Sequence, residues 1–118
     1  MKNETFLQKV KCAICGLIFA FKFEKSFSYY LLIFIATIFI NLILGFTILY
    51  LLINALCACL VFAAECLNTA IEKICDYLTT EYSNKIKYIK DVAAGGVLCC
   101  GFIYFLTEAI MIYLEVVL

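Results

Sequence analysis

A long stretch without charged side chains constrains this chain more than any other feature. Residues 26–64 contain no Asp, Glu, Lys or Arg. One membrane-spanning helix needs about 20 apolar residues, so this stretch is long enough for two. Across the whole chain, 67% of residues are hydrophobic and only 15% are charged. This leaves too little polar surface to cover a water-soluble globule. The sequence therefore predicts an all-α integral membrane protein.

Turn residues divide the charge-free stretch. Asn41 and Gly45 predict a tight turn between a first span at about 27–43 and a second helix that starts near 46. The second helix can continue to about residue 78, so its last part leaves the membrane as an extension. A third apolar segment covers about 91–117. The expected architecture is three transmembrane helices.

Residues 4–25 form an amphipathic pattern ahead of the first span. Seven apolar side chains recur at i, i+3 and i+4 and share one face: Phe6, Leu7, Val10, Ile14, Leu17, Ile18 and Phe21. Such a helix usually lies in the membrane interface. The segment has no continuous apolar core of the kind found in a cleaved signal peptide. Glu24, near its end, either projects from the edge of the apolar face or frays into water.

The basic residues set the expected topology. All nine are lysines, and they cluster before the first apolar stretch and between the second and third spans. Lysine-rich segments stay on the cytoplasmic side of a membrane, which places the 41–46 turn and the C-terminus on the opposite side. Because the net charge is zero, nothing in the charge balance indicates a nucleic-acid partner.

Glu108 is an acid inside the third predicted span. We expect it to lie near the far interface, where water solvates the carboxylate. A buried functional acid is the alternative, because ionisable residues within a membrane are costly unless they are paired or used.

Polar residues return at the end of the second helix. Glu65, Asn68, Glu72 and Asp76 fall within an arc of about 80° when the segment is drawn as a helix. A polar stripe on an apolar helix must find partners, water or a cation, since an isolated buried carboxylate is too costly. The lysine distribution places this stripe at the cytoplasmic end of the second span.

The available side chains limit the chemistry. The chain has no histidine, so a general base must be a carboxylate, a lysine or a cysteine. Carboxylate oxygens suit Mg²⁺, which takes one or two of them and completes its shell with water and phosphate. Glu72 together with Glu24 or Asp76 could supply these ligands, and Lys90 and Asp91 add a cation and an acid at the same level. This set favours phosphoryl transfer to a lipid hydroxyl. A structural polar ladder that pairs helices in an oligomer is the alternative.

Two motifs resemble one known family. Glu65-x-x-Asn68-Thr69-Ala70-Ile71-Glu72-x-x-x-Asp76 resembles the signature of the prokaryotic diacylglycerol kinase family, which includes undecaprenol kinases. Lys90-Asp91-Val92-Ala93-Ala94-Gly95-Gly96-Val97-Leu98 resembles a second block of that family, at a matching spacing. Upstream, Gly16-Leu17 and the segment Phe23-Glu24-Lys25-Ser26-Phe27 are similar to the end of its surface helix. The resemblance covers nearly the whole of residues 1–118, which we interpret as one lipid-kinase domain.

The resemblance implies an enzyme and an assembly. Members are homotrimers of three-span subunits with an N-terminal surface helix, in the bacterial cytoplasmic membrane. They use ATP and Mg²⁺ to phosphorylate a lipid alcohol, either diacylglycerol or undecaprenol. The segments NTAIE and KDVAAGG resemble the undecaprenol-preferring branch more than the diacylglycerol-preferring one. A non-catalytic membrane interaction protein that retains the fold is the alternative from another functional class.

The resemblance also implies residue roles. Glu65 is the implied base for the lipid hydroxyl, and Glu24 and Glu72 are the implied metal ligands on the nucleotide phosphates. Four further side chains position the nucleotide or support the site: Asn68, Asp76, Lys90 and Asp91. The chain departs from the family at Tyr30, where members often have a polar or acidic residue. It also has no arginine, so any arginine that relatives use near the N-terminus is missing or replaced by lysine.

Overall fold

The computed structural model describes residues 5–118, which form four α-helices. They are α1 (Phe6–Phe23), α2 (Lys25–Ile43), α3 (Ile48–Leu78) and α4 (Asn84–Val116). The last three are long and apolar enough to cross a membrane, with mean hydropathies of 2.0, 2.2 and 2.0. The predicted all-α architecture with three spanning helices is therefore confirmed.

Helix α1 is shorter than the predicted surface helix at 4–25. Residue 4 lies outside the described residues, and the helix starts after Thr5, whose side chain and that of Gln8 form a capping box. It ends at Phe23 because Glu24 adopts an extended backbone, with φ −109° and ψ 113°. The Glu24 N–H still bonds to the Ala20 carbonyl at 2.8 Å, which closes the last turn before the chain changes direction. Glu24 therefore lies at a break between two helices.

The predicted turn between the first two spans is present. The Phe46 N–H donates to the Asn41 carbonyl at 3.0 Å, and the Gly45 N–H donates to that of Leu42 at 3.2 Å. This pair of bonds is a Schellman motif, which ends a helix through one residue in the left-handed region. Gly45 has φ +74° and meets this requirement because it has no Cβ.

Helices α3 and α4 make the main contact of the fold. The connection between them covers only residues 79–83, so they form an antiparallel hairpin. Helix α4 starts at Asn84, ahead of the expected span at 91, and its first turns lie beyond the apolar segment. Helix α2 packs on α3, and α1 packs on α2. The core between the spanning helices is centred on four buried side chains: Cys57, Ala58, Val61 and Tyr104.

Helix length fixes how far α3 projects from a bilayer. Its 31 residues extend about 46 Å, whereas the hydrocarbon core is about 30 Å thick. Twenty residues counted from Ile48 reach Leu67. A span that starts at Ile48 would place Glu65 near a membrane boundary and the rest of α3 beyond it. We call this the lysine-rich end, because residues 73–90 carry Lys73, Lys85, Lys87 and Lys90.

A buried polar cluster lies in the opposite half of the bundle, and we call Asn41, Asn54 and Glu108 the far-side polar layer. Their exposed fractions are 0%, 2% and 6%. Asn54 Nδ2 donates to Glu108 Oε2 at 2.6 Å. With its nitrogen turned towards the carboxylate, the Asn41 amide donates to Glu108 and to the Thr37 carbonyl. The prediction that Glu108 is solvated was wrong, because amides on α2 and α3 hydrogen-bond it inside the bundle.

Candidate functional site

Aromatic packing holds the junction of α1 and α2 against α3. Phe27, just after the break, is fully buried. Its ring lies 5.2 Å from that of Phe21 on α1 and 6.4 Å from that of Phe62 on α3, measured between centroids. Such pairs contribute about 0.5–1.5 kcal/mol each beyond the area they bury. They fix Glu24 and Ser26 beside the turn of α3 that carries Glu65.

Glu65 is the most buried carboxylate at this end of the bundle, with 7% of its surface exposed. Its Oε1 accepts a hydrogen bond from Ser26 Oγ at 2.8 Å. This contact joins residues 39 positions apart in the chain and sets the orientation of the carboxyl group. Ser26 therefore fixes one oxygen of the carboxylate and leaves the other, Oε2, unoccupied by this contact.

Asn68 and Glu72 follow on the same face of α3, as the helical spacing predicts. Asn68 Nδ2 donates to Glu72 Oε1 at 3.2 Å. The Asn68 side chain is buried, and its Oδ1 has no hydrogen-bond partner among the described residues. A buried amide oxygen without a donor costs free energy, so it is a ready acceptor for a group that enters the site.

Glu24 reaches the same region from the helix junction. Its Oε1 lies 3.1 Å from Lys73 Nζ. The Glu24 side chain is 27% exposed, so it is half-buried and ion-paired. Neither interpretation describes it: the helix ends before Glu24, so the residue does not project from the face of a continuing helix, and its carboxylate is not free in water. The pair joins Glu24 to α3 at Lys73, and no hydrogen bond or ion pair among residues 5–118 joins it to Glu72.

Asp76 and Lys90 connect the parts of α3 and α4 that extend past the bilayer. Lys90 Nζ donates to Asp76 Oδ1 at 2.9 Å. This hydrogen bond and the positive charge of Lys90 lower the pKa of the Asp76 carboxyl. The same bond is the main cause that raises the pKa of Lys90, and the negative charge of nearby Glu72 contributes in the same direction. Lys90 is therefore electrostatically connected to the carboxylates of α3.

Asp91 has a different partner. It accepts from Lys87 at 2.6 Å, one turn earlier on α4, and both side chains are exposed. The pairs Asp76–Lys90 and Lys87–Asp91 line one open groove beside the 79–83 connection, with a volume of about 670 Å³. Asp91 thus belongs to this groove, and no contact joins it directly to the carboxylates around Glu65.

The structure brings only some of the seven predicted site residues together. Glu24 and Glu65 lie at the α1–α2 junction, paired with Lys73 and Ser26, and Asn68 and Glu72 form a separate pair on α3. Three line the groove beyond them: Asp76, Lys90 and Asp91. Sequence reasoning missed Ser26 and Lys73, which contact Glu65 and Glu24. Neither had a distinguishing signal, apart from the position of Lys73 next to Glu72.

The family model of the prokaryotic diacylglycerol kinases matches residues 11–112. The chain belongs to the prokaryotic diacylglycerol kinase family. No individual curated protein matches it. The matched range includes all seven candidate site residues, and it confirms the resemblance seen in the two sequence motifs. Prokaryotic diacylglycerol kinases are lipid kinases, so the family and the three spanning helices together indicate a bacterial membrane protein with kinase function.

Proposed function

We propose that this diacylglycerol kinase family member transfers the γ-phosphoryl group of ATP to the hydroxyl of a membrane lipid alcohol at the cytoplasmic face. The observation that carries the proposal is Glu65, a buried carboxylate near the membrane boundary with one oxygen fixed by Ser26. A lipid hydroxyl reaches this depth from the bilayer, while a soluble nucleotide reaches it from the groove at the lysine-rich end.

Glu65 acts as the general base. Oε2 accepts the proton of the lipid hydroxyl as the lipid oxygen forms its bond to the γ-phosphorus, and the bond from that phosphorus to the bridging oxygen of ADP breaks. General-base assistance of this kind contributes about 10²- to 10⁴-fold to a rate. The free Oδ1 of Asn68 lies one turn along α3 and accepts a hydrogen bond from an incoming group.

The carboxylates fit a magnesium ion better than an ion that needs an all-protein shell. Within residues 5–118, no group of three or more acidic, cysteine or histidine side chains converges in a way that could enclose a metal. A cation here would take one or two carboxylates and complete its shell with water and phosphate oxygens, as Mg²⁺ does. Glu24 and Glu72 are the proposed ligands. When bound, Mg²⁺ neutralises phosphate charge during transfer.

The groove beyond the carboxylates is the proposed site of the nucleotide. The positive charge of Lys90 would neutralise phosphate charge, and its hydrogen bond to Asp76 holds the ammonium group in the groove. Asp91 and Lys87 line the same groove. The chain lacks a Walker A loop and protein-kinase motifs, and we assign binding of the phosphates to these side chains and to the metal.

The lipid and the assembly are further parts of the proposal. Undecaprenol and diacylglycerol both present a primary hydroxyl on an apolar body, and the NTAIE and KDVAAGG segments favour undecaprenol by resemblance. The same resemblance supports a homotrimer. A closed bundle of three subunits would cover part of the apolar surface that the single chain exposes.

Glu65→Gln tests the proposal. With radiolabelled ATP and a panel of lipid alcohols in detergent or vesicles, we expect turnover to fall by about 10²-fold or more. The amide keeps an acceptor for Ser26, so folding should be unchanged, and the exposed Glu115→Gln serves as the matched control. Near wild-type turnover for Glu65→Gln would show that the base assignment is wrong. Absence of transfer by the wild-type protein to any lipid would favour the non-catalytic interaction protein.

A further inference from the structure

Lys73 is a cation within the carboxylate group that the proposed mechanism does not use. Its Nζ lies 3.1 Å from Glu24 Oε1, and its side chain is 63% exposed. It contacts one proposed metal ligand, Glu24, whereas the other, Glu72, is the preceding residue on α3 and points about 100° away around the helix. It also lines the opening between α1 and α3 into which Glu24 projects.

Stability alone does not account for this ion pair. Pairs as exposed as Lys73 and Glu24 contribute little to folding, because water screens them and two side chains lose freedom. Lysine is a point charge on a flexible four-carbon stem, so Nζ can move several ångströms without any change in the backbone. The contact is therefore easily exchanged for a stronger one.

The charges in the site indicate that the stronger partner would be a phosphate group. A nucleotide triphosphate brings several negative charges, and the chain has no arginine to meet them. Lys90 already contacts Asp76, and Lys87 contacts Asp91. Of the lysines in these described pairs, Lys73 is the one whose carboxylate partner is a proposed metal ligand. With a divalent cation bound at Glu24, Lys73 would lose its carboxylate partner and its ammonium would be free to reach a phosphate oxygen of the nucleotide.

We propose that Lys73 has two alternative partners: Glu24 in the absence of nucleotide, and a phosphate oxygen of the nucleotide once a divalent cation occupies Glu24. This rests on the proposed function and adds to it a phosphate ligand and a competition for the metal site. Lys73 then opposes binding of metal alone and supports binding of metal together with nucleotide.

The first test measures metal without nucleotide. Mn²⁺ substitutes for Mg²⁺ and is followed by electron paramagnetic resonance on the purified protein. Lys73→Gln should bind Mn²⁺ about two- to five-fold more tightly, as expected for loss of a competing exposed ion pair. Lys85→Gln is the matched control, because Lys85 is exposed at the same end and is in no ion pair among residues 5–118. Equal Mn²⁺ affinity in wild type and Lys73→Gln would overturn the competition.

The second test measures a non-hydrolysable ATP analogue in saturating Mg²⁺. Lys73→Gln should bind it about ten-fold more weakly, because a charge-assisted hydrogen bond is lost. Lys73→Arg should restore the affinity, since a guanidinium binds phosphate well. A merely structural residue would not shift the two affinities in opposite directions. An unchanged analogue affinity in Lys73→Gln, or an equal loss in Lys85→Gln, would overturn the phosphate contact.

Different results would overturn the role of Lys73 and the proposed function. If the wild-type protein transfers phosphate and Lys73→Gln matches it in both binding assays, only the role of Lys73 is wrong. If the wild-type protein binds neither Mn²⁺ nor the analogue, the proposed function and this inference are both overturned.

Discussion

Replacing Glu108 with leucine should destabilise the bundle without altering the candidate site. The Glu108 carboxylate accepts from Asn54 at 2.6 Å and also contacts the Asn41 amide. Leucine fills a similar volume but accepts nothing, so both amides lose the hydrogen bond to Glu108, and Asn41 keeps only the one to the Thr37 carbonyl. Both amides are buried, so water cannot replace the lost hydrogen bonds, and the folded state is destabilised.

Two magnitudes bound the effect of Glu108→Leu. Hydrogen bonds between helices in membranes average about 0.6 kcal/mol and reach about 1.7 kcal/mol. Two such bonds give about 1–3 kcal/mol, and the complete burial of both amides places the expectation in the upper half. Removal of a buried carboxylate offsets part of the loss. Glu108→Gln keeps an acceptor and should stay within about 1 kcal/mol of wild type.

A double-mutant cycle with Asn54→Leu isolates the contact. Each single variant strands a buried partner, whereas the double variant removes both. We therefore expect a coupling free energy of at least about 1 kcal/mol between Glu108 and Asn54, well above the error of about 0.3–0.5 kcal/mol for independent sites.

The assay is unfolding in detergent micelles titrated with dodecyl sulfate and followed by helical circular dichroism. Glu115→Leu makes the same chemical change at an exposed position of α4 and should have little effect. Phosphoryl transfer by folded Glu108→Leu should persist, because Glu108 lies about 27 Å along α4 from Lys90. A coupling energy within error of zero would refute the reasoning, as would equal stability of the Glu108 and Glu115 variants.

Three further substitutions test the site and the fold. Glu72→Gln should raise the Mg²⁺ concentration needed for half-maximal activity, and an unchanged metal titration would contradict its role as a ligand. Ser26→Ala should lower kcat by about ten-fold, because Glu65 loses the hydrogen bond that orients it, while Ser26→Thr should recover most of it; a change in the KM for ATP alone would contradict this. Gly45→Ala should destabilise the protein by about 1 kcal/mol in the dodecyl sulfate titration, since φ is +74° and no neighbouring atom meets the added Cβ. Unchanged stability would show that the turn tolerates another conformation.

Local pattern was enough to predict the spanning helices and the site face of α3. The charge-free stretch implied two spans, and Asn41 with Gly45 implied the turn that separates them. Helical spacing placed Asn68 and Glu72 on one face, and the structure joins them by a hydrogen bond. These features depend on residues that are close in sequence, where backbone geometry alone fixes which side chains meet.

Contacts between distant segments were not predictable from the same pattern. Ser26 holds Glu65, and Lys73 holds Glu24, although nothing in the sequence distinguishes either residue from other serines or lysines. No proline or glycine in the sequence indicates the helix break at Glu24. At this break Phe27 packs against Phe21 and against Phe62 on α3, and the second of these contacts joins segments that are distant in sequence.

Buried polar side chains occur at two levels along α3, and the residues around them differ between the two levels. In the far-side polar layer, Asn54 is buried together with Glu108, and leucine-rich helix surfaces surround the two side chains. At the lysine-rich end, Asn68 is also buried, but its partner Glu72 is half-exposed and the next residue, Lys73, is exposed. Both amides have an oxygen without a hydrogen-bond partner among residues 5–118, but only that of Asn68 lies on a stretch of α3 with half-exposed and exposed charged residues. This difference in surroundings is why we propose a role in the reaction for Asn68 and a role in packing for Asn54.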